Sequence, residues 1–181
     1  MDKQPERQTS IEAHLLTADD RFPNNPKLPL LVYRQLLKFD SRDDRDAATQ
    51  CEHLFAENRW GGSWRNGVFS YHHFHSNAHE VLGVCSGSAE VQFGGPHGPI
   101  VSVKAGDVAI LPAGTGHKKI KATADFLVVG AYPVGQEGYD LLRGEPEERP
   151  AAEKRVAAVP LPQADPLFGE DGPLFEHWTG G

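Results

Sequence analysis

The chain has 181 residues and a formal net charge of −7, with 19 glycines, 14 prolines and two cysteines. An acidic chain of this kind, without a basic cluster, is a poor partner for nucleic acid or an anionic membrane surface. Two cysteines exclude a disulfide framework and a cysteine-based zinc site. The length favours one domain, and the polar start of the sequence, which lacks the apolar core of a signal peptide, predicts a cytoplasmic protein.

Two short elements are predicted before residue 60. The sequence LPLLVY at residues 28–33 predicts an edge strand, because an edge tolerates proline. A helix is predicted to open at Ser41, with Asp44 three residues later as in a capping box, and to end at Asn58. Its apolar residues recur at helical spacing: Ala47, Ala48, Cys51, Leu54 and Phe55.

From residue 60 to residue 133 short β-rich runs alternate with glycine-containing turns. The predicted strands are 67–71, 81–85, 89–93, 100–103, 107–111 and 126–132, with a further strand starting at His117. Strands that recur every ~8–12 residues predict an all-β barrel or sandwich. Residues 134–181 are broken by proline and glycine, and they predict an irregular tail with one short helix around 151–158.

The stretch HHFHSNAHE, residues 72–80, places four histidines and a carboxylate together. In an extended chain His73 and His75 share one face, so their imidazoles can bind the same metal ion. A further ligand from this stretch is either His79 or Glu80. The turn-prone sequence at 76–78 interrupts the alternation, so the local pattern leaves that choice open.

Two longer patterns resemble the signature motifs of the cupin superfamily (RmlC-like proteins). The first, G-x5-H-x-H-x4-E-x6-G, is met by Gly67, His73, His75, Glu80 and Gly87. The second, G-x5-P-x-G-x2-H-x3-N, is met by Gly106, Pro112, Gly114 and His117, with Lys121 in place of the final Asn. The flanking sequences DFLVVGAYP and DPLFG…GPL…W are similar to those of the uncharacterised bacterial YjlB-like cupins.

The resemblance implies a single cupin domain over residues 1–181, built as a double-stranded β-helix or jelly-roll barrel. Residues 60–133 would form the barrel core, with an N-terminal strand and helix extension at 1–59 and a C-terminal extension at 134–181. Cupins usually pair, so we expect a homodimer, formed through the 28–33 edge.

The resemblance also implies a metal site made by His73, His75, Glu80 and His117. Three imidazoles and one carboxylate suit a divalent transition metal such as Mn, Fe, Ni or Zn better than Ca or Mg. Four protein ligands leave a coordination position open for a small-molecule ligand. His79 is then expected beside the ligands or at the rim of the pocket.

Two lysines offer a further pocket hypothesis. Lys119 and Lys121 share the parity of His117, so in a regular strand their amines approach the pocket, where they could bind an anionic substrate. The alternative, which we favour, is that they extend into solvent or that a bulge breaks the alternation.

Three functions are compatible with such a site. The first is a metal-dependent enzyme acting on a small polar metabolite by oxygenase-type or Lewis-acid chemistry. The second is a metal-dependent sugar or keto-acid isomerase, which is weakened because no second carboxylate is visible near Glu80 to serve as a base. The third is a non-catalytic cupin that binds a small molecule.

Overall fold

The computed structural model describes residues 10–179, and within them nine strands form two antiparallel sheets. The strands are β1 Ile11–His14, β2 Leu30–Tyr33, β3 Trp60–Asn66, β4 Glu80–Ser86, β5 Ser88–Phe93, β6 Ile100–Lys104, β7 Val108–Leu111, β8 His117–Ala122 and β9 Leu127–Pro133. The larger sheet has the order β1-β2-β7-β4-β9-β3, and the smaller has the order β6-β5-β8. The predicted all-β class is confirmed.

The helices are few and short. They are α1 Ala47–Glu57, α2 Arg149–Ala158 and α3 Leu174–His177, with a 3-10 turn at Pro146–Glu148 leading into α2. No helix within residues 10–179 has the length and apolar character needed to cross a membrane.

The space between the two sheets is filled by alternate residues of their strands. In β5, Val91 and Phe93 are buried while Gln92 between them is partly exposed, which is the pattern of a strand with one face on a core. They meet apolar residues of the larger sheet, among them Leu82 and Val128. This inner core holds the sheets together and leaves a cavity at one end.

The outer face of the larger sheet is covered by α1 and by residues 160–178. Phe55 of α1 and Trp178 belong to the same buried cluster as the outward side chains of the sheet. Hydrogen bonds fix this layer: the Trp178 indole donates to the Pro29 carbonyl (2.8 Å), and the Tyr33 hydroxyl donates to Asp165 (2.6 Å). The C-terminal extension is therefore an integral layer of the fold.

The N-terminal strand differs from the prediction. β2 lies between β1 and β7 inside the larger sheet, so it is neither an edge strand nor packed outside the barrel. Its four apolar residues are buried on both faces, with Val32 in the inner core and Tyr33 in the outer cluster. Because β1 covers it, β2 is not free to pair with a second chain, and the homodimer itself stays a prediction.

Two other boundaries were predicted wrongly. Helix α1 begins at Ala47, because Asp46 caps it by accepting a hydrogen bond from the Thr49 amide (2.7 Å), whereas Asp40 and Asp43 hold local turns before it. Residues 67–71 are not a strand: β3 ends at Asn66, and the segment that follows is extended, with single bridges at His73 and Phe74.

Candidate metal centre

Four buried side chains converge at one end of the inner core. His73 and His75 come from the extended segment after β3, Glu80 opens β4 and His117 opens β8. Each is between 2% and 6% exposed. One ligand nitrogen from each histidine lies within 4.8 Å of the other two, and the Glu80 carboxylate is 3.0 Å from His75 Nε2 and 3.3 Å from His117 Nε2.

The backbone fixes this convergence. His73 and His117 form an antiparallel bridge in which each amide donates to the other carbonyl, at 3.2 and 2.9 Å. The turn before β8 is tight: Gly114 has φ +96°, and a Cβ there would lie 2.5 Å from the Asn24 carbonyl oxygen. The Gly114 amide donates to the His75 carbonyl (2.8 Å), so the turn joins the two histidine segments.

The tautomers of the three histidines follow from their backbone partners. Each Nδ1 lies against a carbonyl oxygen: Tyr71 for His73 (3.0 Å), Thr115 for His117 (3.0 Å) and Asp140 for His75. A carbonyl can only accept, so Nδ1 carries the hydrogen and Nε2 of the neutral ring presents a lone pair. The three Nε2 atoms therefore face one another and the Glu80 carboxylate as acceptors.

Acceptors that face one another in a buried site require a cation between them. Glu80 Oε1 has no hydrogen-bond partner among the described residues, although His117 Nε2 lies close to it. A buried carboxylate oxygen without a donor is costly. Three imidazoles and one carboxylate are a donor set that fits a divalent transition metal, and their Nδ1 hydrogen bonds are the supporting contacts such ligands usually make.

The pKa shifts of these residues also reflect the close packing of three imidazoles and a carboxylate in a buried site. Burial, together with the neighbouring His117, lowers the pKa of His73 to about 3. Burial also disfavours the charged form of His75, but the Glu80 carboxylate outweighs it and raises the pKa of His75. Burial likewise opposes ionisation of Glu80, yet His75 and His117 lower its pKa. A proton between His75 Nε2 and Glu80 Oε2 would relieve one of these contacts and would leave Glu80 Oε1 without a donor.

A cavity of about 270 Å³ opens beside these four residues. Most of its other walls are aromatic or aliphatic: Trp64, Val68, Phe69, Leu82, Tyr132, Tyr139 and Leu141. The Trp64 indole donates to the Tyr132 hydroxyl (2.8 Å), and the Tyr132 ring stacks on Tyr139 with 4.1 Å between centroids. The volume lies near the lower end of the ~300–1,000 Å³ typical of ligand pockets, so it suits a small molecule.

Comparison with known proteins identifies the family. The uncharacterised protein YjlB of Bacillus subtilis (strain 168) is 42% identical over 174 residues, which cover 96% of this chain and 99% of that protein. The chain belongs to the YjlB family. The predicted resemblance to YjlB is thereby confirmed. No family model matches the chain.

Solved structures match over part of the chain. A Klebsiella pneumoniae protein with a double-stranded β-helix domain is 23% identical, with 46% of this chain and 68% of that one covered and a TM-score of 0.37. Acireductone dioxygenase from Bacillus anthracis, with a cadmium ion in its active centre, is 15% identical, with 49% and 60% covered and a TM-score of 0.35.

In this YjlB-family chain His79 does not face the other histidines. Its Nδ1 accepts from the Ala113 amide (2.9 Å), its Nε2 donates to the Pro160 carbonyl (3.1 Å), and its ring packs on Trp178. Because both nitrogens are engaged, His79 joins the turn between β7 and β8 to the C-terminal layer. Of the two alternatives left open by the sequence, Glu80 is the one that meets the imidazoles.

The two lysines lie outside the cavity that contains the histidines. A bulge in the pairing of β5 with β8 falls between Glu90 and Val91, so Lys119 is opposite Val91 while Lys121 is opposite Glu90 on the outer side. The Lys121 side chain is 73% exposed, with its Nζ 3.5 Å from Glu90. The bulge breaks the alternation that would have turned Lys121 inward.

A larger cavity of about 790 Å³ lies at the other end of β5 and β8, with Arg34, Asp107 and Lys121 among its lining residues. None of the described residues that line it is a histidine. Its buried carboxylate, Asp107, accepts from the Arg34 side chain, from Gln35 and from the Lys104 amide. Because the Asp107 carboxylate already accepts hydrogen bonds from these groups, the smaller cavity beside the histidines is the better candidate for a metal and ligand site.

A support for His75 was missed by the sequence interpretation. The Asp140 carbonyl accepts from His75 Nδ1, and the Asp140 carboxylate accepts from the Ser76 amide (2.7 Å) and hydroxyl. Arg155 of α2 donates to the Ser76 hydroxyl oxygen (2.7 Å) and lies 3.5 Å from Asp140. These residues are 64 or more positions apart from their partners near His75, and no local pattern connects them.

Proposed function

We propose that this cupin is a divalent-metal-dependent enzyme acting on a small polar metabolite, with His73, His75, Glu80 and His117 as the metal ligands. The observation that carries the proposal is the meeting of three Nε2 lone pairs with a buried carboxylate. Mn, Fe, Ni and Zn suit this donor set.

The chain's own residues prepare the site in three ways. The carbonyls of Tyr71, Thr115 and Asp140 hold the imidazoles in the tautomer that leaves Nε2 unprotonated. The aromatic and aliphatic walls offer apolar surface to the ligand. A bound ion would supply a Lewis acid with an open coordination position. Burial and nearby Glu80 raise the pKa of the Tyr132 hydroxyl, which accepts from the Trp64 indole at the wall of the cavity and offers a polar contact beside the proposed metal.

Oxygenase-type or Lewis-acid chemistry is favoured over isomerisation. A sugar or keto-acid isomerase needs a base beside the metal. Among the described residues that line the cavity, Glu80 is the only carboxylate, and it faces the three imidazoles as part of the ligand set. A non-catalytic binding cupin is the alternative. The small-molecule partner, the homodimer and the cytoplasmic location stay predictions from the sequence.

Metal analysis tests the ligand set. We expect protein purified without added metal, or loaded afterwards with Mn, Fe, Ni or Zn, to hold about one ion per chain. His73→Ala, His117→Ala and Glu80→Gln should each lower that occupancy, because each removes a ligand. His53→Ala, at an exposed position on α1, is the matched control and should keep the ion.

Two outcomes would count against the proposal. A wild-type protein that takes up none of the four metals would remove the metal centre. Full occupancy in Glu80→Gln would remove the carboxylate from the ligand set. Oxygen consumption by the loaded protein over a panel of small metabolites then separates an oxygenase from a Lewis-acid enzyme or a binding protein.

A further inference from the structure

We propose that Arg143 binds the carboxylate group of the ligand, so that the cavity takes a small monocarboxylate with an apolar or aromatic body. This inference rests on the proposed function, because it concerns the ligand of the same cavity. It is carried by the backbone register around Arg143, by the surroundings of its guanidinium and by the walls of the cavity.

The backbone places Arg143 beside the histidines. Phe74 and Leu142 form an antiparallel bridge with both amide–carbonyl hydrogen bonds, at 3.0 and 2.9 Å, and their side chains pack into one cluster with Phe22. Side chains alternate along extended chains, so the neighbours of this pair face the opposite side. In this register Arg143 lies across from His73.

The residue pair on the other side of the Phe74–Leu142 bridge shows that this opposite side is the side of the cavity. Leu141 lies across from His75, and both residues line the cavity. Arg143 shares the parity of Leu141, so its side chain leaves the backbone on the cavity side. The guanidinium carbon is 3.7 Å from the centroid of the Tyr71 ring. That ring stacks on Phe69 (4.9 Å) and contacts His73 (5.6 Å), which places Arg143 at the mouth.

Among residues 10–179, no acidic side chain neutralises the charge of Arg143. Within residues 10–179, no carboxylate lies within ion-pair distance of its guanidinium, which is exposed and held on Tyr71. By contrast Arg65, the cation that lines the cavity itself, is bound by Glu52 at 2.6 Å. An arginine that is positioned by an aromatic ring and has no acidic partner is available for an anion from outside the chain.

The surroundings define the class of anion. A single guanidinium matches a carboxylate in a bidentate pair and balances its one negative charge. A phosphate monoester, with a charge of about −1.5 to −2 near pH 7, would leave charge unbalanced at this position. Phe69, Tyr139 and Leu141 are 46%, 39% and 40% exposed, which is high for large apolar side chains around one opening. They suit an apolar or aromatic ligand body.

Calorimetry on the full chain tests the inference, both zinc-loaded and chelated. The probes are benzoate, phenylacetate and hexanoate, each paired with its uncharged amide. We expect at least one carboxylate to bind at millimolar concentration and its amide to bind about tenfold more weakly or worse. Arg143→Gln should weaken carboxylate binding by a similar factor, and Arg143→Lys should restore part of it. Arg42→Gln, an exposed arginine paired with Asp40, is the control and should change nothing.

Failure of the carboxylate inference can be distinguished from failure of the proposed metal-dependent function. The carboxylate inference is overturned if none of the carboxylates binds the wild type, or if Arg143→Gln binds them as tightly as the wild type. Unchanged zinc content in the same samples would then leave the proposed function standing. If the wild type takes up no metal, the proposed function fails, while the comparison of Arg143 variants in the chelated protein still decides the inference.

Discussion

Histidines of one short stretch have different roles because their second nitrogens have different partners. His73 and His75 each use Nδ1 on a backbone carbonyl and keep Nε2 free, whereas His79 uses both nitrogens on Ala113 and Pro160. The motif spacing selected His73, His75, Glu80 and His117, and the structure brings these four side chains together. The partners that distinguish His79 are 34 and 81 positions away, so the stretch itself could not show them.

His79→Ala should keep the metal and lose stability. The substitution leaves the Ala113 amide and the Pro160 carbonyl buried without partners and opens space beside Trp178. We expect the free energy of unfolding to fall by about 2–4 kcal/mol. Urea denaturation measures this loss, and metal analysis of the folded variant measures occupancy. A stably folded His79→Ala protein without metal would contradict a purely structural role for this histidine.

The lysines show where residue-scale prediction stops. The sequence HKKIKA is compatible with a regular strand, and regular alternation would turn Lys121 inward. The bulge that turns it outward belongs to the pairing of β8 with β5, and it is set by contacts that the local sequence does not contain. The same is true of Arg143, whose position follows from a single bridge between distant segments.

At the scale of elements, the C-terminal extension supports the centre. Helix α2 carries Arg155, which holds Ser76 and Asp140, and the Asp140 carbonyl orients His75. A histidine whose outer nitrogen is fixed in this way keeps its ring in place for a ligand. The extension was predicted as an irregular tail with one short helix around 151–158, and that helix is part of the support for the site.

Arg155→Ala should weaken metal binding without abolishing it. The ligands remain, but the Ser76–Asp140 contact that orients His75 is loosened. Partners of this kind usually contribute about 10–100-fold in affinity, and we expect the lower end for a half-exposed arginine. Competition with a chromophoric chelator measures the change. Lys154→Ala, its exposed neighbour on α2, is the control. Equal affinity in both variants would exclude a role of α2 in the centre.

Most strand bounds were predicted to within one residue, both for strands buried on both faces, such as β4, β7 and β9, and for strands with one-sided burial. Strands β5 and β6 alternate buried and exposed residues, and their predicted bounds differ from the observed ones by one residue at most. β2 is buried on both faces, so its sequence has no alternation from which an inner position could be inferred. The segment 67–71 has the composition of a strand, but it lies where the chain leaves the sheet to reach the histidines.

At the scale of the whole molecule, metal binding should stabilise the fold in a pH-dependent way. A ligand imidazole must be neutral, and the Glu80 carboxylate raises the pKa of His75. Protons therefore compete with the metal as pH falls, and affinity rises with pH. Metal that binds only the folded state raises its stability by mass action.

Thermal melting of loaded and chelated protein checks this. We expect the two melting temperatures to be well separated at about pH 8 and to converge in acid, because His75, whose pKa is raised, takes up a proton that competes with the metal. Identical melting curves at the higher pH, after metal loading has been verified, would contradict a metal centre in the folded protein. A separation that grows in acid would contradict the histidine ligands.

The C-terminal layer also has a consequence for biosynthesis. Residues 160–178 cover the larger sheet, and Asp140 and Pro160 complete the surroundings of His75 and His79. A ribosome delivers the N-terminal residues first, so α1 and the nine described strands emerge before residues 160–178. During that interval the part of the outer face that residues 160–178 cover is exposed, and His75 and His79 lack their contacts with Asp140 and Pro160. The proposed metal centre would therefore reach its final form only after the C-terminal layer has been synthesised.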